Sequence, residues 1–506
     1  MESTTKGRLM NPSTTPVFTP GRIVALALIA ALVGGLAYLY FTPDSSVSVP
    51  KGAKAGDLTL HDCSYGTEDG SYDADCGTLV VPENSADPQS RLIALPVTRI
   101  HARSANPGEP IFRLEGGPGI TNMQFPKASR FADTRDVVLV GYRGVDGSVR
   151  LDCPEVESAL SHSTDFLGEK SFRAYADGFR ACAERLTDEG IDLAGYGLVQ
   201  QVDDLEAARK ALGYDRISLL SESAGTRTAM IYSWRYPKSI HRSVMIGANP
   251  PGHFIWDGAT TDQQIARYAE ACSQDSSCRA RTADLSATMR HVATTMPDHW
   301  WFLPIKRSNV RIASFYGLAE TTSEAAPISA PMTLGSWLSA AKGDPSGFWL
   351  MSLAADLTFP EAFVWGDLGA ASRADARAAS DYFATPHDSI LGDPGTTFVW
   401  GGGRLTDAWP SHPGEAEYSR LRTSAVETLL IGGALDMATP PQAATKELLP
   451  YLPNGHQVVL PGFGHTTDFW TYQRDAGTRL IDTFFATGKV DDSLYVPGHV
   501  DFTPGV

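Results

Sequence analysis

Short apolar runs alternate with segments of helical pattern along most of the chain from residue 78 onward. The pattern predicts strands at residues 78–81 and 92–99, which a polar turn joins. Glycine bounds the next two apolar runs, at 111–114 and 137–140, as expected of buried parallel strands.

The alternation then predicts helices at residues 199–212 and 226–234. It predicts strands at residues 217–220 and 244–246. It returns late in the chain with strands and a final helix at residues 428–431, 457–460 and 478–486. Strands that alternate with helices indicate an α/β fold with a mostly parallel sheet flanked by helices.

The strand rhythm disappears in residues 253–420, which are rich in Ala, Ser, Asp and aromatic residues. We expect a large, mostly helical lid insertion there, lying over the carboxyl ends of the strands. The core would then be built from two parts, residues 61–252 and 421–506.

An uncharged apolar stretch covers residues 23–41 and follows Lys6, Arg8 and Arg22. As a helix it would be about 28 Å long, close to the thickness of a bilayer core. It predicts a transmembrane anchor with residues 1–22 in the cytoplasm and the domain that follows outside. The alternative is a signal segment that is cleaved to give a secreted protein. Residues 42–60 contain many Pro, Ser, Gly and Lys residues and are expected to be a linker.

All six cysteines follow the apolar stretch, which fits disulfide bonds in an oxidising compartment. We expect the pairs that are local in sequence, Cys63–Cys76, Cys153–Cys182 and Cys272–Cys278. Buried free thiols are the alternative. A metal site is not expected, because no CxxC pair or histidine stands at zinc-ligand spacing.

The formal net charge is -16, so the chain is acidic. Nucleic-acid-binding proteins usually carry basic surfaces, so this class of function is not expected. A hydrophobic fraction of 42% is ordinary for a globular protein and excludes disorder of the whole chain.

Ser223 lies in the segment 221–225, between a predicted strand and a predicted helix. A nucleophilic serine on a sharp strand-to-helix turn needs small residues two positions before and after it. Gly225 satisfies the second position, whereas Ser221 replaces the usual glycine at the first. Such a turn would aim the N–H group of Ala224 at a developing oxyanion.

A glycine-rich segment, residues 115–119, directly follows another predicted strand. A loop at this place can turn a backbone N–H group toward the nucleophile and complete an oxyanion hole. Pro118 has no N–H group, so Gly117 is the expected donor, with Gly116 as the second choice.

Asp436 and His465 each follow a late predicted strand. The chain order Ser, Asp, His is the order of the α/β-hydrolase fold. The histidine can take the serine proton and return it to the leaving group, while the carboxylate holds the imidazole in one tautomer. Asp468 is a weaker candidate for the acid, because it follows no strand of its own. No cofactor is expected.

These motifs resemble those of α/β-hydrolase serine peptidases of the proline iminopeptidase and actinobacterial tripeptidyl aminopeptidase type. The resemblance is carried by the loop 116–119 and by the strand-to-helix turn at Ser223, called the nucleophile elbow. Short motifs elsewhere also match, at Arg143, Gly144, Ser148, Thr226, Thr439, Pro440, Gly462 and Gly464. Two departures are Glu115, where iminopeptidases have histidine, and Ser221. The elbow looks equally like that of carboxylesterases.

The resemblance implies an exported serine peptidase that releases N-terminal residues or short peptides. Such an enzyme must hold a substrate ammonium, and Glu115, Asp356 and Glu361 are candidate carboxylates for this role. A carboxylesterase or lipase with the same triad is the alternative. A non-catalytic binding protein with this fold is a third possibility.

Overall fold

One twisted sheet organises the protein in a computed structural model that describes residues 45–323, 328–385, 387–411 and 415–502. The sheet has nine strands. They are β1 (Leu58–Thr67), β2 (Gly70–Pro82), β3 (Leu92–Ile100), β4 (Gly108–Leu114), β5 (Arg135–Val140), β6 (Ile217–Glu222), β7 (Ile240–Ile246), β10 (Glu427–Gly433) and β11 (Gly455–Leu460), while β8 (His299–Trp300) and β9 (Leu303–Pro304) form a separate hairpin.

The strand order is β1-β2-β3-β5-β4-β6-β7-β10-β11. The first three strands and β5 pair antiparallel, whereas β5, β4, β6, β7, β10 and β11 run parallel to one another. The carboxyl ends of β4, β6, β10 and β11 therefore meet at one edge of the sheet. This is the mostly parallel sheet that the sequence predicts.

Helices cover both faces of the sheet and fill the long segment between β7 and β10. They are α1 (Pro154–Ser161), α2 (Glu169–Asp188), α3 (Leu198–Ala211), α4 (Gly225–Arg235), α5 (Gly258–Gln274), α6 (Ser276–Arg279), α7 (Leu285–Thr295), α8 (Arg307–Gly317), α9 (Ala330–Ala340), α10 (Ser346–Thr358), α11 (Trp365–Ser372), α12 (Ala376–Phe383), α13 (Pro394–Val399), α14 (Glu415–Tyr418), α15 (Pro441–Ala443), α16 (Thr466–Thr471) and α17 (Arg474–Thr487). Short 3₁₀ turns occur at Pro126–Arg130, Leu193–Gly195, Pro237–Ser239, Phe359–Glu361, Arg373–Asp375, Gly401–Gly403 and Leu449–Tyr451, and a π turn at Ala444–Leu448.

The insertion between β7 and β10 holds helices α5 to α14 and has an apolar core of its own. Trp337 and Phe315 are fully buried in that core. Leu435 and Met437, which follow β10, belong to the same cluster. The insertion is therefore packed against one of the loops at the carboxyl edge of the sheet.

The sequence does not predict β1, which begins at Leu58 inside the expected linker. Its residues alternate between half-buried and exposed along an outer strand of the sheet, so it lacks the apolar run that marks the inner strands. Polar side chains make it look like a continuation of the linker. The expected anchor at residues 23–41 lies outside the described residues, and no helix within the described ranges is long and apolar enough to cross a membrane.

Three disulfide bonds close local loops: Cys63–Cys76, Cys153–Cys182 and Cys272–Cys278. They are the same pairs that the sequence leads us to expect. The first joins β1 to β2, the second joins the start of α1 to α2, and the third joins α5 to α6. Each bond thus joins two elements that are neighbours in the sequence.

Candidate active site

Ser223 occupies the sharp turn between β6 and α4, with a backbone φ of 49°. This left-handed conformation is strained for a residue other than glycine and is typical of functional sites. Gly225 allows the turn, because a Cβ atom there would lie 2.4 Å from the Glu115 carbonyl oxygen. Ser221 is accommodated because its hydroxyl is buried and donates a hydrogen bond to the Val244 carbonyl oxygen at 3.0 Å.

Ser223, His465 and Asp436 form one hydrogen-bonded chain at the carboxyl edge of the sheet. The Ser223 Oγ atom lies 3.0 Å from His465 Nε2. On the other side of the ring, His465 Nδ1 lies 2.8 Å from Asp436 Oδ2. The structure thus brings together the three residues that the sequence puts forward as a triad.

The Asp436 carboxylate is buried and accepts further hydrogen bonds from its own loop. Ala438 N–H and Thr439 N–H each donate to Oδ1 at 2.8 Å, and the Thr439 hydroxyl donates to Oδ2 at 2.7 Å. Burial alone would raise the pKa of Asp436, but the nearby His465 and these donors hold it below its ordinary value. The carboxylate therefore stays ionised beside the ring.

The imidazole of His465 is buried next to this carboxylate. Burial alone would lower the pKa of His465, but the charge of Asp436 and the hydrogen bond to it raise the pKa above its ordinary value. A histidine in this environment is a stronger base than one in water. It is suited to remove a proton from Ser223.

The glycine-rich loop lies directly against Ser223. A Cβ atom on Gly116 would be 3.0 Å from Ser223 Cβ, so a larger residue there would require Ser223 or the loop to shift. Gly116 N–H donates to the Glu115 carboxylate at 2.7 Å and is therefore occupied. Within the described ranges the N–H groups of Gly117 and Ala224 have no protein acceptor, which keeps both as expected oxyanion donors.

Contacts from the insertion hold this loop in place. Val364 N–H donates to the Gly119 carbonyl oxygen at 2.9 Å, and Gly119 N–H donates to Asp367 Oδ2 at 2.8 Å. Burial raises the pKa of Asp367 to about 7. The position of the loop thus depends on the insertion as well as on β4.

Glu115, a candidate for holding a substrate ammonium, lies beside the loop, but its carboxylate has other partners. Its Oε2 atom is 3.0 Å from a guanidinium nitrogen of the buried Arg113. The same guanidinium pairs with Glu222, which also accepts a hydrogen bond from Trp470 Nε1 at 2.6 Å. Glu115 is therefore part of a charge network with Arg113 and Glu222.

The other two candidates are not brought into contact with Ser223. The Asp356 carboxylate lies 2.8 Å from Lys306 Nζ and 2.7 Å from Asn309 Nδ2. Glu361 is exposed in a 3₁₀ turn, where its charge acts on Glu157.

Glu320, in the insertion, contacts the loop that carries His465, here called the histidine loop. The sequence gives no sign of this contact. Its two carboxylate oxygens accept hydrogen bonds from Thr467 N–H at 3.2 Å and Asp468 N–H at 3.0 Å. The neighbouring Ala319 carbonyl accepts a hydrogen bond from His465 N–H at 2.6 Å. Burial raises the pKa of Glu320 to about 7. No local motif marks this residue, because its partners lie far away in the sequence.

Asp468, the weaker candidate for the acid, serves the histidine loop and not the histidine ring. Its carboxylate accepts from Gly464 N–H at 2.7 Å and from the Thr321 hydroxyl at 2.6 Å. Burial raises its pKa. Asp468 thus fixes the shape of the histidine loop, and Asp436 is the carboxylate at His465 Nδ1.

Residues 109–470 match the model of the family described as alpha/beta hydrolase fold, which is more than half of the chain. This chain belongs to the alpha/beta hydrolase family. The match confirms the fold class and the family resemblance that the sequence motifs indicate.

Relatives of this hydrolase include proteins named as peptidases. It is 30% identical over 213 residues to the tripeptidyl aminopeptidase of Streptomyces lividans, covering 38% of each chain. It is 26% identical over 229 residues to the serine protease Hip1 of Mycobacterium tuberculosis, covering 40% of this chain and 42% of the relative. The matched stretch thus spans well under half the length of either relative.

Solved structures similar to this hydrolase include two other hydrolases of low sequence identity. The alpha/beta hydrolase MGS-M2 from a deep-sea metagenome library is 14% identical with a TM-score of 0.35, covering 79% of this chain and 98% of the other. The serine hydrolase CCSP0084 from Cycloclasticus zankles is 11% identical with a TM-score of 0.34, covering 86% and 100%.

Proposed function

We propose that this protein is an exported serine peptidase that releases N-terminal residues or short peptides through a Ser223–His465–Asp436 triad. The single observation that carries the proposal is the hydrogen-bonded chain from Ser223 Oγ through both ring nitrogens of His465 to Asp436. Each member of that chain supplies a part that acyl transfer needs.

In this mechanism Ser223 Oγ attacks the carbonyl carbon of the scissile bond while its proton moves to His465 Nε2. Asp436 stabilises the imidazolium that forms. The negative charge that develops on the carbonyl oxygen is held by the N–H groups of Gly117 and Ala224. His465 then gives its proton to the leaving group, which departs and leaves an acyl-enzyme. Water deacylates the enzyme by the same steps in reverse order.

An esterase with the same triad is the alternative, because an ester and an amide pass through the same acyl-enzyme. The relatives named tripeptidyl aminopeptidase and serine protease favour a peptide substrate. Among the candidate carboxylates for a substrate ammonium, Glu115 is the one beside the oxyanion loop. Asp356 and Glu361 stay predictions from the sequence.

We place the catalytic domain outside the cytoplasm, held by an anchor at residues 23–41. Three disulfide bonds support export, because such bonds form and persist in oxidising compartments. N-terminal sequencing of the native protein, collected from both the membrane and the secreted fractions, tests the anchor. An intact N-terminus supports it, whereas a new N-terminus near residue 40 indicates a cleaved signal.

Labelling with a fluorophosphonate tests the triad. We expect the wild type to be labelled and Ser223→Ala to lose both the label and about 10⁴–10⁶-fold in kcat. Ser221→Ala is the matched control, because it removes a buried hydroxyl from the same turn without removing the nucleophile. A folded wild type that takes no label would contradict the enzyme and favour a binding protein.

Matched p-nitroanilides and p-nitrophenyl esters of the same peptides separate peptidase from esterase. A peptidase of this type should cleave the anilide and should lose activity when the α-amine is acetylated. Cleavage of the esters alone would support the esterase alternative.

A further inference from the structure

One buried guanidinium lies between the segment that carries Ser223 and the loop that carries the expected donor Gly117. Arg113 stands on β4, and its side chain is almost completely buried. Its Nη2 atom pairs with the carboxylates of both Glu222 and Glu115. Arg113 therefore joins the residue directly before Ser223 to the residue directly before the glycine-rich loop.

Each of the two carboxylates also has a second fixed partner. Glu222 is buried and accepts a hydrogen bond from Trp470 Nε1 at 2.6 Å. The Oε1 atom of Glu115 accepts a hydrogen bond from Gly116 N–H at 2.7 Å, while its Oε2 atom lies 3.0 Å from Arg113 Nη2. One carboxylate thus connects the guanidinium to the first N–H group of the loop. Charge-assisted hydrogen bonds of this kind are short and directional, so they restrain the groups that they join.

This arrangement bears on the expected oxyanion hole, because the two donors of that hole come from different segments. Ala224 N–H belongs to the turn after β6, and Gly117 N–H belongs to the loop after β4. Both must lie within hydrogen-bonding distance of the same substrate oxygen. An error of about 1 Å in the position of one segment can cost roughly 10²-fold in rate. A polar connection between the two segments therefore affects the rate of the proposed reaction.

We propose that Arg113 is a positioning residue that sets the distance between the nucleophile turn and the glycine-rich loop through Glu222 and Glu115. The inference rests on the proposed function, since it takes Ser223 as the nucleophile beside an oxyanion hole. The three charged side chains act through the backbone segments next to them and touch no reacting atom. Glu115 thereby has a role that does not need a substrate ammonium.

Glu222→Gln is the first test, because the amide keeps the shape of the side chain and an oxygen that can accept from Trp470. It removes the charge that pairs with Arg113. With p-nitrophenyl butyrate, which has no amino group, we expect kcat/KM to fall by about tenfold to a hundredfold. The inhibition constant Ki of a trifluoromethyl ketone with the same propyl group should rise by a similar factor, because this ketone forms a tetrahedral oxyanion on the serine.

Both values are expressed per active site, counted by fluorophosphonate labelling to completion. Partial unfolding would reduce the number of labelled sites, but it would leave kcat/KM of each remaining site unchanged. Glu206→Gln is the matched control, because Glu206 is also buried, pairs with Arg209 at 2.7 Å and accepts a hydrogen bond from the Tyr232 hydroxyl at 2.9 Å. It lies on α3 and should keep kcat/KM and Ki.

Arg113→Lys tests the guanidinium itself. An ammonium group is a compact charge and cannot hold two carboxylates in the fixed geometry of a guanidinium. The loss in kcat/KM should therefore be at least as large as in Glu222→Gln. The double variant should lose little more than Arg113→Lys alone, because both substitutions break the same contact. Where Arg113→Lys gives no folded protein, Glu222→Gln still decides the question.

A Glu222→Gln variant with the kcat/KM and Ki of the wild type overturns the positioning role, and so does a fall in kcat/KM with an unchanged Ki. A loss of labelled sites at an unchanged rate per site also overturns it, because the network would then serve stability alone. In each of these cases a labelled, active wild type leaves the proposed function standing. Wild type that is neither labelled nor active on the ester removes the proposed function and the positioning role with it.

Discussion

His465 is held by partners from three distant parts of the chain. Asp436 follows β10, Ser223 follows β6, and the Ala319 carbonyl belongs to the insertion. Two of these contacts fix the ring and one fixes the backbone. A histidine with this many constraints keeps one tautomer and one orientation, which is what proton transfer in both directions requires.

Asp436→Asn should lower kcat by about 10⁴-fold, because the amide favours the wrong tautomer of the ring. It should also shift the pH profile. Activity needs neutral His465, so kcat/KM rises with pH through the histidine pKa. That pKa is raised by the Asp436 carboxylate in the wild type, so the rise should move to lower pH in the variant. The measurement is kcat/KM for an ester between pH 5 and 9.

Asp482→Asn is the control for this profile. Asp482 is a partly buried acid that pairs with Arg135 at 3.0 Å, away from the triad. A profile that stays in place in Asp436→Asn would show that the titrating base is not the histidine beside this carboxylate.

The hydrogen-bonded grouping of Ser223, His465 and Asp436 could be predicted from the sequence, whereas the residues around it could not. Ser223, Asp436 and His465 each stand in a short motif directly after an apolar run. The local sequence is therefore enough to identify them as candidates. Glu320 stands in no motif, and its contacts to Thr467 and Asp468 join residues that only the packing of the insertion brings together. Glu115 has the right place but is already paired with Arg113, which a sequence pattern does not reveal.

At the level of elements, the nucleophile turn depends on the close approach of α4 to the end of β4. A Cβ atom on Gly225 would lie 2.4 Å from the Glu115 carbonyl oxygen and 2.6 Å from that of Leu114. Backbone atoms of a buried strand cannot yield to such a clash. The same β4 end carries the oxyanion loop, so a shift there also displaces the expected donors.

Gly225→Ala should therefore lower both kcat and the melting temperature, by about 10²–10³-fold in kcat if one oxyanion donor is lost. Gly335→Ala is the matched control, because Gly335 lies inside α9 and a methyl group added there would have no atom within 4 Å. Alanine there should keep kcat and stabilise the helix by up to about 1 kcal/mol. Thermal unfolding and ester hydrolysis measure both effects, and a fully active Gly225→Ala would contradict the close approach.

The sequence predicts the elements that are buried, because burial requires apolar residues in a recognisable pattern. β6 is buried along its whole length, and Ile217, Leu219 and Leu220 mark it as an apolar strand just before Ser223. β1 is paired only through one neighbour and is half exposed, so its composition resembles a linker. The periodicity of the insertion indicates helices, but the helices that contact the histidine loop cannot be chosen from it.

For the whole molecule, buried acids make stability depend on pH. Burial raises the pKa of Glu320 from 4.5 to about 7, so the folded protein keeps a proton that the unfolded chain has lost. The contribution of Glu320 to the free energy of unfolding is fully present below pH 4.5. It is lost as the pH rises through about 7. The difference between these two pKa values corresponds to about 3 kcal/mol. Asp367 and His465, whose pKa values are also raised, act in the same direction.

The free energy of unfolding should therefore fall between pH 5 and pH 8, and it should fall less in Glu320→Gln, which cannot ionise. Urea unfolding at the two pH values measures the difference. Glu184→Gln, an exposed acid on α2, is the control and should follow the wild type. An identical loss in Glu320→Gln and the wild type would show that Glu320 does not titrate in this range.

The hydrogen bond between the Ala319 carbonyl and His465 N–H has a consequence for how such enzymes diversify. If the insertion were exchanged for that of a relative, the chain would lose the backbone acceptor that holds His465, together with the Glu320 carboxylate that caps α16. A working chimera must carry these two acceptors across or rebuild them. An insertion that brings a new substrate preference must therefore also keep His465 in position for the proposed proton transfer.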